Sequence, residues 1–145
     1  MPTRTARTAW EGGLNDGSGQ VELTSSGTGT FDVSWPKRTA DEADGTTSPE
    51  ELVAAAHASC FAMQLSHELA EAGGTPQALE VTAEVAFEPD PSGGFMVAGI
   101  TLGVRGEVEG LDADGFARAA EQAKTGCPIS KALSAVPISL EVRQD

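Results

Sequence analysis

The two cysteines are the residues of this sequence with the most informative chemistry. Cys60 and Cys127 are the only cysteines among 145 residues, and 67 positions separate them. A small secreted scaffold would carry more cysteines at closer spacing. In a reducing compartment, two cysteines can be inert buried thiols, half of a metal site, or a redox pair. The residues around each cysteine have to distinguish these possibilities.

Cys60 lies in a strongly apolar stretch that is predicted to be helical, and Phe61 follows it. Apolar surroundings raise the pKa of a thiol and suppress its reactivity. Catalysis by Cys60 would therefore require a nearby cation that favours the thiolate. The chain has nine Lys and Arg residues, and Arg38, in a polar segment just before the helix, is the best placed of them.

Cys127 directly precedes Pro128 and is predicted to stand at the N-terminus of a short helix. Unpaired N–H groups and the helix dipole favour a thiolate there and lower the thiol pKa. One enclosed thiol and one thiol at a helix junction fit an attacking and a resolving cysteine. To pair, their Cα atoms would have to approach to about 4.4–6.8 Å, and the sequence leaves that open.

Glu50 is predicted to occupy the second position of the helix that carries Cys60. It could simply complement the helix dipole, or it could hold the Arg38 guanidinium in a bidentate pair. Ten helical residues separate Glu50 from Cys60, which is about 15 Å along the axis. Glu50 would therefore act through Arg38, or both residues would reach the Cys60 of a second subunit.

His57 and His67 lie three residues before and seven residues after Cys60. His57 could serve as the base of a Cys–His hydrolase or as half of a zinc site. However, no Asn or Asp is placed in sequence to orient it, and zinc needs three or four ligands at characteristic spacings. We expect no metal site, and we expect His57 to be a core or interface residue with satisfied polar atoms.

The elements that position these residues are predicted from hydrophobic periodicity and from turn and cap residues. The order βββ-α-ββ-αα-β predicts an α+β fold, one domain over residues 1–145, with a mainly antiparallel sheet. The predicted elements are strands Thr8–Glu11, Gly19–Thr24 and Gly29–Trp35, a loop at 36–47, a helix from Ser48-Pro49 to about Ala72, strands Ala78–Phe87 and Phe95–Val108, a helix from Asp112 to Thr125, a short helix after Cys127, and a strand containing Ile138, Leu140 and Val142.

The first half of the long helix, from Leu52 to Leu65, is apolar on nearly every face (LVAAAHASCFAMQL). Such a helix has to be surrounded by protein. A chain of this size buries only about two-thirds of its unfolded surface and offers few packing partners. We therefore expect an intimate homodimer.

The charge of the chain narrows the choice of partners. The formal net charge is −13, which argues against nucleic acid and anionic membranes as partners because both would need a basic patch. The N-terminal residues lack the apolar run of a signal peptide, and no stretch approaches the ~20 apolar residues of a membrane span. We expect a soluble, cytoplasmic protein.

Four segments resemble the osmotically inducible protein C (OsmC) and organic hydroperoxide resistance (Ohr) family, in the family's order and spacing. The helix block together with the later Cys-Pro-x-Ser is highly specific, whereas Trp-Glu-Gly alone is weak. The version of the helix with His57 is similar to the OsmC branch rather than the Ohr branch. The segments are Trp10-Glu11-Gly12, Val33–Arg38 (VSWPKR), Ser48–Phe61 (SPEELVAAAHASCF) and Cys127–Ser130 (CPIS).

The resemblance implies an OsmC-like fold in which two subunits intertwine around central Cys-bearing helices, with two active sites at the interface. It implies reduction of organic hydroperoxides, with Cys60 as the peroxidatic cysteine and Cys127 as the resolving cysteine that forms a disulfide with it. Glu50 matches the family's catalytic glutamate, and Arg38 is the match for its catalytic arginine. A dithiol of the lipoyl type would be the reductant, and no metal, haem or flavin is required.

The apolar side chains of Phe61, Met63 and Trp35 would then favour organic peroxides over hydrogen peroxide. The main rival hypothesis is a non-catalytic stress protein or small-molecule-binding protein of the same fold. A Cys–His hydrolase is the third.

Overall fold

The structure is a computed structural model that describes residues 1–144. The chain forms two compact units, residues 1–52 and residues 53 onward. The predicted α+β class is confirmed, and one short helix is added to the predicted order. The elements are β1 (Arg7–Glu11), β2 (Ser18–Glu22), β3 (Thr30–Val33), α1 (Trp35–Arg38), α2 (Pro49–Glu71), β4 (Thr75–Pro89), β5 (Phe95–Glu109), α3 (Ala113–Gly126), α4 (Pro128–Ala132) and β6 (Ile138–Gln144).

The first unit contains an antiparallel sheet with the strand order β1-β2-β3. All three predicted strands are present, but the third ends at Val33, so the prediction that Trp35 belongs to it is wrong. The cause is a local helix start. Ser34 Oγ accepts a hydrogen bond from the Lys37 N–H at 3.3 Å, and Pro36 fits the first turn of a helix. Arg38, predicted to lie in a loop, is therefore the last residue of α1.

The long helix α2 begins where Ser48 and Pro49 predict it. Ser48 Oγ accepts a hydrogen bond from the Glu51 N–H at 3.1 Å, which satisfies one of the unpaired donors of the first turn. At the other end, Gly73 has a φ of 92°, a conformation that glycine adopts readily and that ends helices. The predicted long Cys-bearing helix is confirmed.

The second unit contains a three-stranded sheet with the order β4-β5-β6. The hairpin β4–β5 is antiparallel, with Val81 opposite Val104. In contrast, β6 lies parallel to β5, with Leu140 opposite Leu102. A parallel return requires a crossover connection, and α3 and α4 supply it. The sheets are thus mainly antiparallel, as predicted, with one parallel pair.

The core of this unit is formed where α2 and α3 cover the sheet. Residues four apart on α2 provide one apolar stripe, which meets a stripe of Phe116 and alanines on α3. Gly106 of β5 allows α3 to pack close to the sheet, because a Cβ there would meet the Phe116 ring at 2.7 Å. The core residues, each at most 4% exposed, are Phe61, Leu65, Leu69, Leu102, Val104, Phe116, Ala119, Ala120 and Ala123.

One face of α2 is not enclosed by its own chain. Ala55, Ala56 and Ser59 are exposed, and Met63 is 74% exposed. The expectation that protein surrounds this helix on all sides is therefore not met within a single chain. The homodimer stays a prediction.

Across residues 1–144, we find no helix with the length and apolar character that crossing a membrane requires.

Candidate active site

Two thiols meet where α2 passes the junction between α3 and α4. Cys60 lies in the middle of α2, and Cys127 lies between the end of α3 and the start of α4. Their sulfur atoms are 2.8 Å apart and hydrogen-bonded, and both are free thiols. A disulfide has an S–S length of about 2.05 Å, so a small movement is enough to join them.

The burial of the two thiols is the reverse of the prediction. Cys127 is 0% exposed, whereas Cys60 is partly exposed. The buried face of α3 explains the difference, because Ala123 and Cys127 are four residues apart and continue the same inward stripe. The Cys127 N–H also donates to the Ala123 carbonyl at 2.9 Å, which holds the junction against the core.

The surroundings make the two thiols chemically unequal. Burial raises the pKa of Cys60, and the hydrogen bond with Cys127 raises it further, against a smaller lowering by the Ile129 N–H. Burial also raises the pKa of Cys127. There, however, the interactions with Cys60, with the N–H and hydroxyl of Ser130 and with the Ile129 N–H outweigh burial, and the net pKa lies below its ordinary value.

Both directions agree with those predicted from the sequence. The Cys127 side chain forms no capping hydrogen bond, so the N–H groups of α4 act on its sulfur as nearby dipoles. Within this unit, the negative charge of the thiol pair is therefore favoured on Cys127. Shifting the charge to Cys60 requires a further positive group.

A second contact joins the same two segments through His57 and Ser130. The His57 Nε2 and the Ser130 Oγ are 2.7 Å apart, and the two residues are 0% and 5% exposed. Burial lowers the pKa of His57, which favours the neutral imidazole. His57 is buried as expected, but only half satisfied, because its Nδ1 has no hydrogen-bond partner among the described residues.

Arg38 and Glu50 form the bidentate pair that the sequence suggested. Arg38 donates from Nε to Glu50 Oε1 at 2.9 Å and from its NH2 group to Oε2 at 2.8 Å. The hydrogen bond and the charge of Glu50 raise the pKa of Arg38 against the opposing effect of burial. The guanidinium also lies 5.8 Å from the ring centroid of Trp35, within cation–π range. This pair belongs to the first unit.

The apolar residues expected near a substrate behave differently from one another. Phe61 is 0% exposed and belongs to the core, so the expectation that it faces a peroxide is wrong. It turns inward because it shares the helix stripe of Leu65 and Leu69. Met63 is exposed and available for contacts.

The contacts of His57 do not support its use as the base of a Cys–His hydrolase or as a zinc ligand. Its Nε2 is engaged by Ser130, and no Asn or Asp is bonded to its other ring nitrogen among the described residues. Within residues 1–144, no group of three or more His, Cys, Asp or Glu residues could hold a metal ion.

Ser130 acts on the Cys127 thiol, and no role was predicted for it from the sequence. It belongs to the Cys-Pro-Ile-Ser motif, three residues after Cys127. A residue three positions after a helix N-cap can face the cap, and that spacing is the signal that could have identified it. Its partner His57 is 73 residues away, so their contact depends on the tertiary fold.

The chain resembles known proteins over most of its length. The family model described as "OsmC-like protein" matches residues 41–141. The chain is 40% identical over 127 residues, 87% of this chain and 86% of the relative, to the protein of Escherichia coli (strain K12) named "Peroxiredoxin OsmC".

Two solved structures also cover nearly the whole chain. The organic hydroperoxide resistance protein OhrB of Bacillus subtilis has 32% identity, a TM-score of 0.75, and coverage of 96% of this chain and 98% of its own. An organic hydroperoxide resistance protein from Elizabethkingia anophelis has 26% identity, a TM-score of 0.74, and coverage of 99% of both chains.

Proposed function

Because the chain belongs to the OsmC-like family, we propose that it is a cysteine peroxidase that reduces organic hydroperoxides to alcohols. The observation that carries the proposal is the pair of free thiols, Cys60 and Cys127, at a sulfur–sulfur distance of 2.8 Å. The names of the relatives add support, since one is a peroxiredoxin and others are organic hydroperoxide resistance proteins.

Cys60 is the attacking thiol in this proposal because it is the more accessible of the two. Its thiolate attacks the terminal oxygen of the hydroperoxide, and the O–O bond breaks. The alkoxide takes up a proton and leaves as the alcohol, while the sulfur is oxidised to a sulfenic acid. The Cys127 thiolate then attacks that sulfur and displaces hydroxide, which leaves as water. The products are one disulfide, one alcohol and one water.

Arg38 and Glu50 are proposed as the residues that favour the Cys60 thiolate. The thiol pair favours its charge on Cys127, so Cys60 needs a positive group to become the nucleophile. A guanidinium held by two hydrogen bonds is a fixed positive charge that carries N–H donors for a peroxide oxygen. Glu50 would fix that guanidinium, and Arg38 would act on the thiolate and the peroxide.

The disulfide returns to two thiols by exchange with an external dithiol. A lipoyl-type dithiol is the proposed reductant, because its second thiol closes a ring and releases the enzyme thiols. The catalytic cycle uses only cysteine sulfur, and we propose no cofactor.

A homodimer is proposed as the working unit. The exposed face of α2 supports it, because the small and apolar side chains of Ala55, Ala56, Ser59 and Met63 lie in water in the single chain. Sedimentation of the protein should give twice the chain mass of 14.9 kDa. A mass near that of one chain would contradict the dimer.

A peroxidase assay with three proteins tests the proposed function. Reduced wild type mixed with cumene hydroperoxide should lose both titratable thiols and consume peroxide continuously with a dithiol. Cys60→Ser should not react. Cys127→Ser should consume about one equivalent and accumulate sulfenic or over-oxidised sulfur. Thiols that remain unchanged in the wild type would sink the proposal and favour a binding protein of the same fold.

A further inference from the structure

We propose that His57 and Ser130 are positioning residues for Cys127. His57 orients the Ser130 hydroxyl, and that hydroxyl donates a hydrogen bond to the Cys127 sulfur. This proposal rests on the proposed peroxidase function and concerns its second step. It assigns to the pair the task of keeping Cys127 ready to attack the Cys60 sulfenic acid.

Two neighbouring contacts join α2 to the segment that runs from Cys127 into α4. His57 lies three residues before Cys60 on α2, and Ser130 lies three residues after Cys127 at the start of α4. Residues three apart on a helix are neighbours on one face. The His57–Ser130 contact at 2.7 Å and the Cys60–Cys127 contact at 2.8 Å are therefore adjacent contacts between the two segments.

The unpartnered Nδ1 indicates which nitrogen of His57 carries the hydrogen. A neutral imidazole has one N–H donor and one acceptor nitrogen. Both residues of the contact are at least 95% buried, and a buried N–H without a partner is rarer than an unsatisfied acceptor. The hydrogen is therefore placed on Nε2, which donates to Ser130 Oγ, and the bare lone pair is on Nδ1.

This assignment determines the direction of the serine hydroxyl. Ser130 has a single hydrogen to donate. If Ser130 donated it to His57, nothing would remain for the Cys127 sulfur. Because His57 is the donor, the serine hydrogen is free to stabilise the Cys127 thiolate, which agrees with the direction in which Ser130 moves the pKa of that thiol.

The expected slowing is confined to the resolving step, because the hydroxyl acts on Cys127. Without it the charge of the thiol pair is less favoured on Cys127, so attack by Cys60 should not be slowed. A hydrogen bond to a charged group is worth enough to move a pKa by about one unit. At a pH below the pKa of Cys127, loss of that bond would lower the thiolate fraction about tenfold. The more basic thiolate would regain about threefold in nucleophilicity. We therefore expect the attack of Cys127 on the Cys60 sulfenic acid to slow about threefold.

Rapid-quench mass spectrometry separates the two steps. Reduced protein is mixed with one equivalent of cumene hydroperoxide, and the masses of the sulfenic acid and the disulfide are followed with time. Ser130→Ala and His57→Leu should form the sulfenic acid at least as fast as wild type and convert it to the disulfide about threefold more slowly. His57→Gln, whose amide can donate from near the Nε2 position, should be closer to wild type than His57→Leu.

The outcomes separate this proposal from the proposed function. If wild type forms neither species, the proposed function fails. If wild type forms both species but Ser130→Ala and His57→Leu resolve at the wild-type rate, only the role of the pair fails. Equal slowing of both steps would also overturn it, because that is the result of general mispacking.

A thiol titration in a Cys60→Ser background gives a second readout that packing alone would not move. The thiolate absorbance near 240 nm follows Cys127. Adding Ser130→Ala should move its midpoint up by about one pH unit, and an unchanged midpoint would overturn the proposal. If Ser130→Ala fails to fold, the same titration with His57→Leu and His57→Gln decides the question.

Discussion

Glu50 holds the Arg38 guanidinium with both of its carboxylate oxygens, at 2.9 and 2.8 Å. The Glu50 side chain is 10% exposed and that of Arg38 is 31% exposed, so the pair is partly shielded from solvent. A bidentate pair of this kind fixes the orientation of the guanidinium as well as its charge. Glu50 therefore has a proposed purpose beyond complementing the first turn of α2.

Replacing either member of this pair should slow the reaction of Cys60 with hydroperoxide. We expect kcat/KM to fall about 10- to 100-fold for Glu50→Gln, because one charge-assisted hydrogen bond is lost, and further for Arg38→Ala. Single-turnover kinetics with cumene hydroperoxide measure this.

Lys37→Ala is the matched control for those two variants. Lys37 precedes Arg38 in α1 and forms an exposed ion pair with Asp44 at 3.2 Å, which is worth little. Its activity should match wild type. If Lys37→Ala were as slow as Arg38→Ala, the effect would reflect the net charge of the segment rather than the guanidinium of Arg38.

An incoming thiol should attack Cys60 rather than Cys127 in the oxidised protein. Cys60 is partly exposed and Cys127 is fully buried in the reduced protein, and the thiol with the lower pKa leaves faster in exchange. When the oxidised protein reacts with a limiting monothiol, peptide mapping should find the mixed disulfide on Cys60. Adducts mainly on Cys127 would contradict this assignment of the leaving thiol.

Some of this arrangement follows from short-range signals in the sequence. Ser48 and Pro49 mark the start of α2, Gly73 marks its end, and the alternation in β4 and β5 specifies the hairpin. Each signal is local, because capping, backbone freedom and strand alternation act over a few residues. The pairing of Arg38 with Glu50 was also within reach, since only twelve residues separate them.

Features that depend on tertiary packing were not predicted. Trp35 is a local exception, because it continues the strand pattern while the Ser34 cap and Pro36 start a helix there. The parallel pairing of β6 and the contact between His57 and Ser130 join residues far apart in sequence. The burial of Cys127 depends on which face of α3 meets the sheet. Sequence periodicity is the same for each of these outcomes, so only the packed structure distinguishes them.

His57 should make the protein less stable in mild acid. Its pKa is lowered in the folded state by burial, from an ordinary value of 6.5. As pH falls through 6.5, the unfolded chain takes up a proton that the folded chain refuses, so the free energy of unfolding decreases. The slope from this residue is at most about 1.4 kcal/mol per pH unit. Urea unfolding of wild type and His57→Gln between pH 7.5 and 5 measures it.

The slope of the free energy of unfolding against pH should be the same in wild type and His57→Gln above neutral pH, and it should be steeper in wild type below pH 6.5. His67→Gln serves as the control because His67 lies on the same helix and is exposed, and it should keep the wild-type slope. A wild-type slope that persists in His57→Gln would show that another group is responsible.

Gly106 should be intolerant of even one added methyl group. A Cβ at this position would meet the Phe116 ring at 2.7 Å and Leu79 at 2.8 Å, which would push α3 away from the sheet. We expect Gly106→Ala to lower the free energy of unfolding by about 1–3 kcal/mol.

Gly99→Ala, on the same strand, is the control for that substitution. The nearest atom to its added Cβ is the Pro137 carbonyl oxygen at 3.7 Å, an ordinary contact distance. Denaturant unfolding should find Gly99→Ala close to wild type. Equal destabilisation by both substitutions would contradict the contact between α3 and the sheet as the cause, since backbone propensity alone favours alanine over glycine in a strand.

The redox pairing of Cys60 and Cys127 is most directly tested by a stoichiometric titration read by intact mass. Reduced protein treated with one equivalent of cumene hydroperoxide should lose two hydrogens, about 2 Da, and yield one crosslinked peptide pair containing Cys60 and Cys127. A chain that keeps both thiols and its original mass, while the hydroperoxide is left unconsumed, would contradict the account.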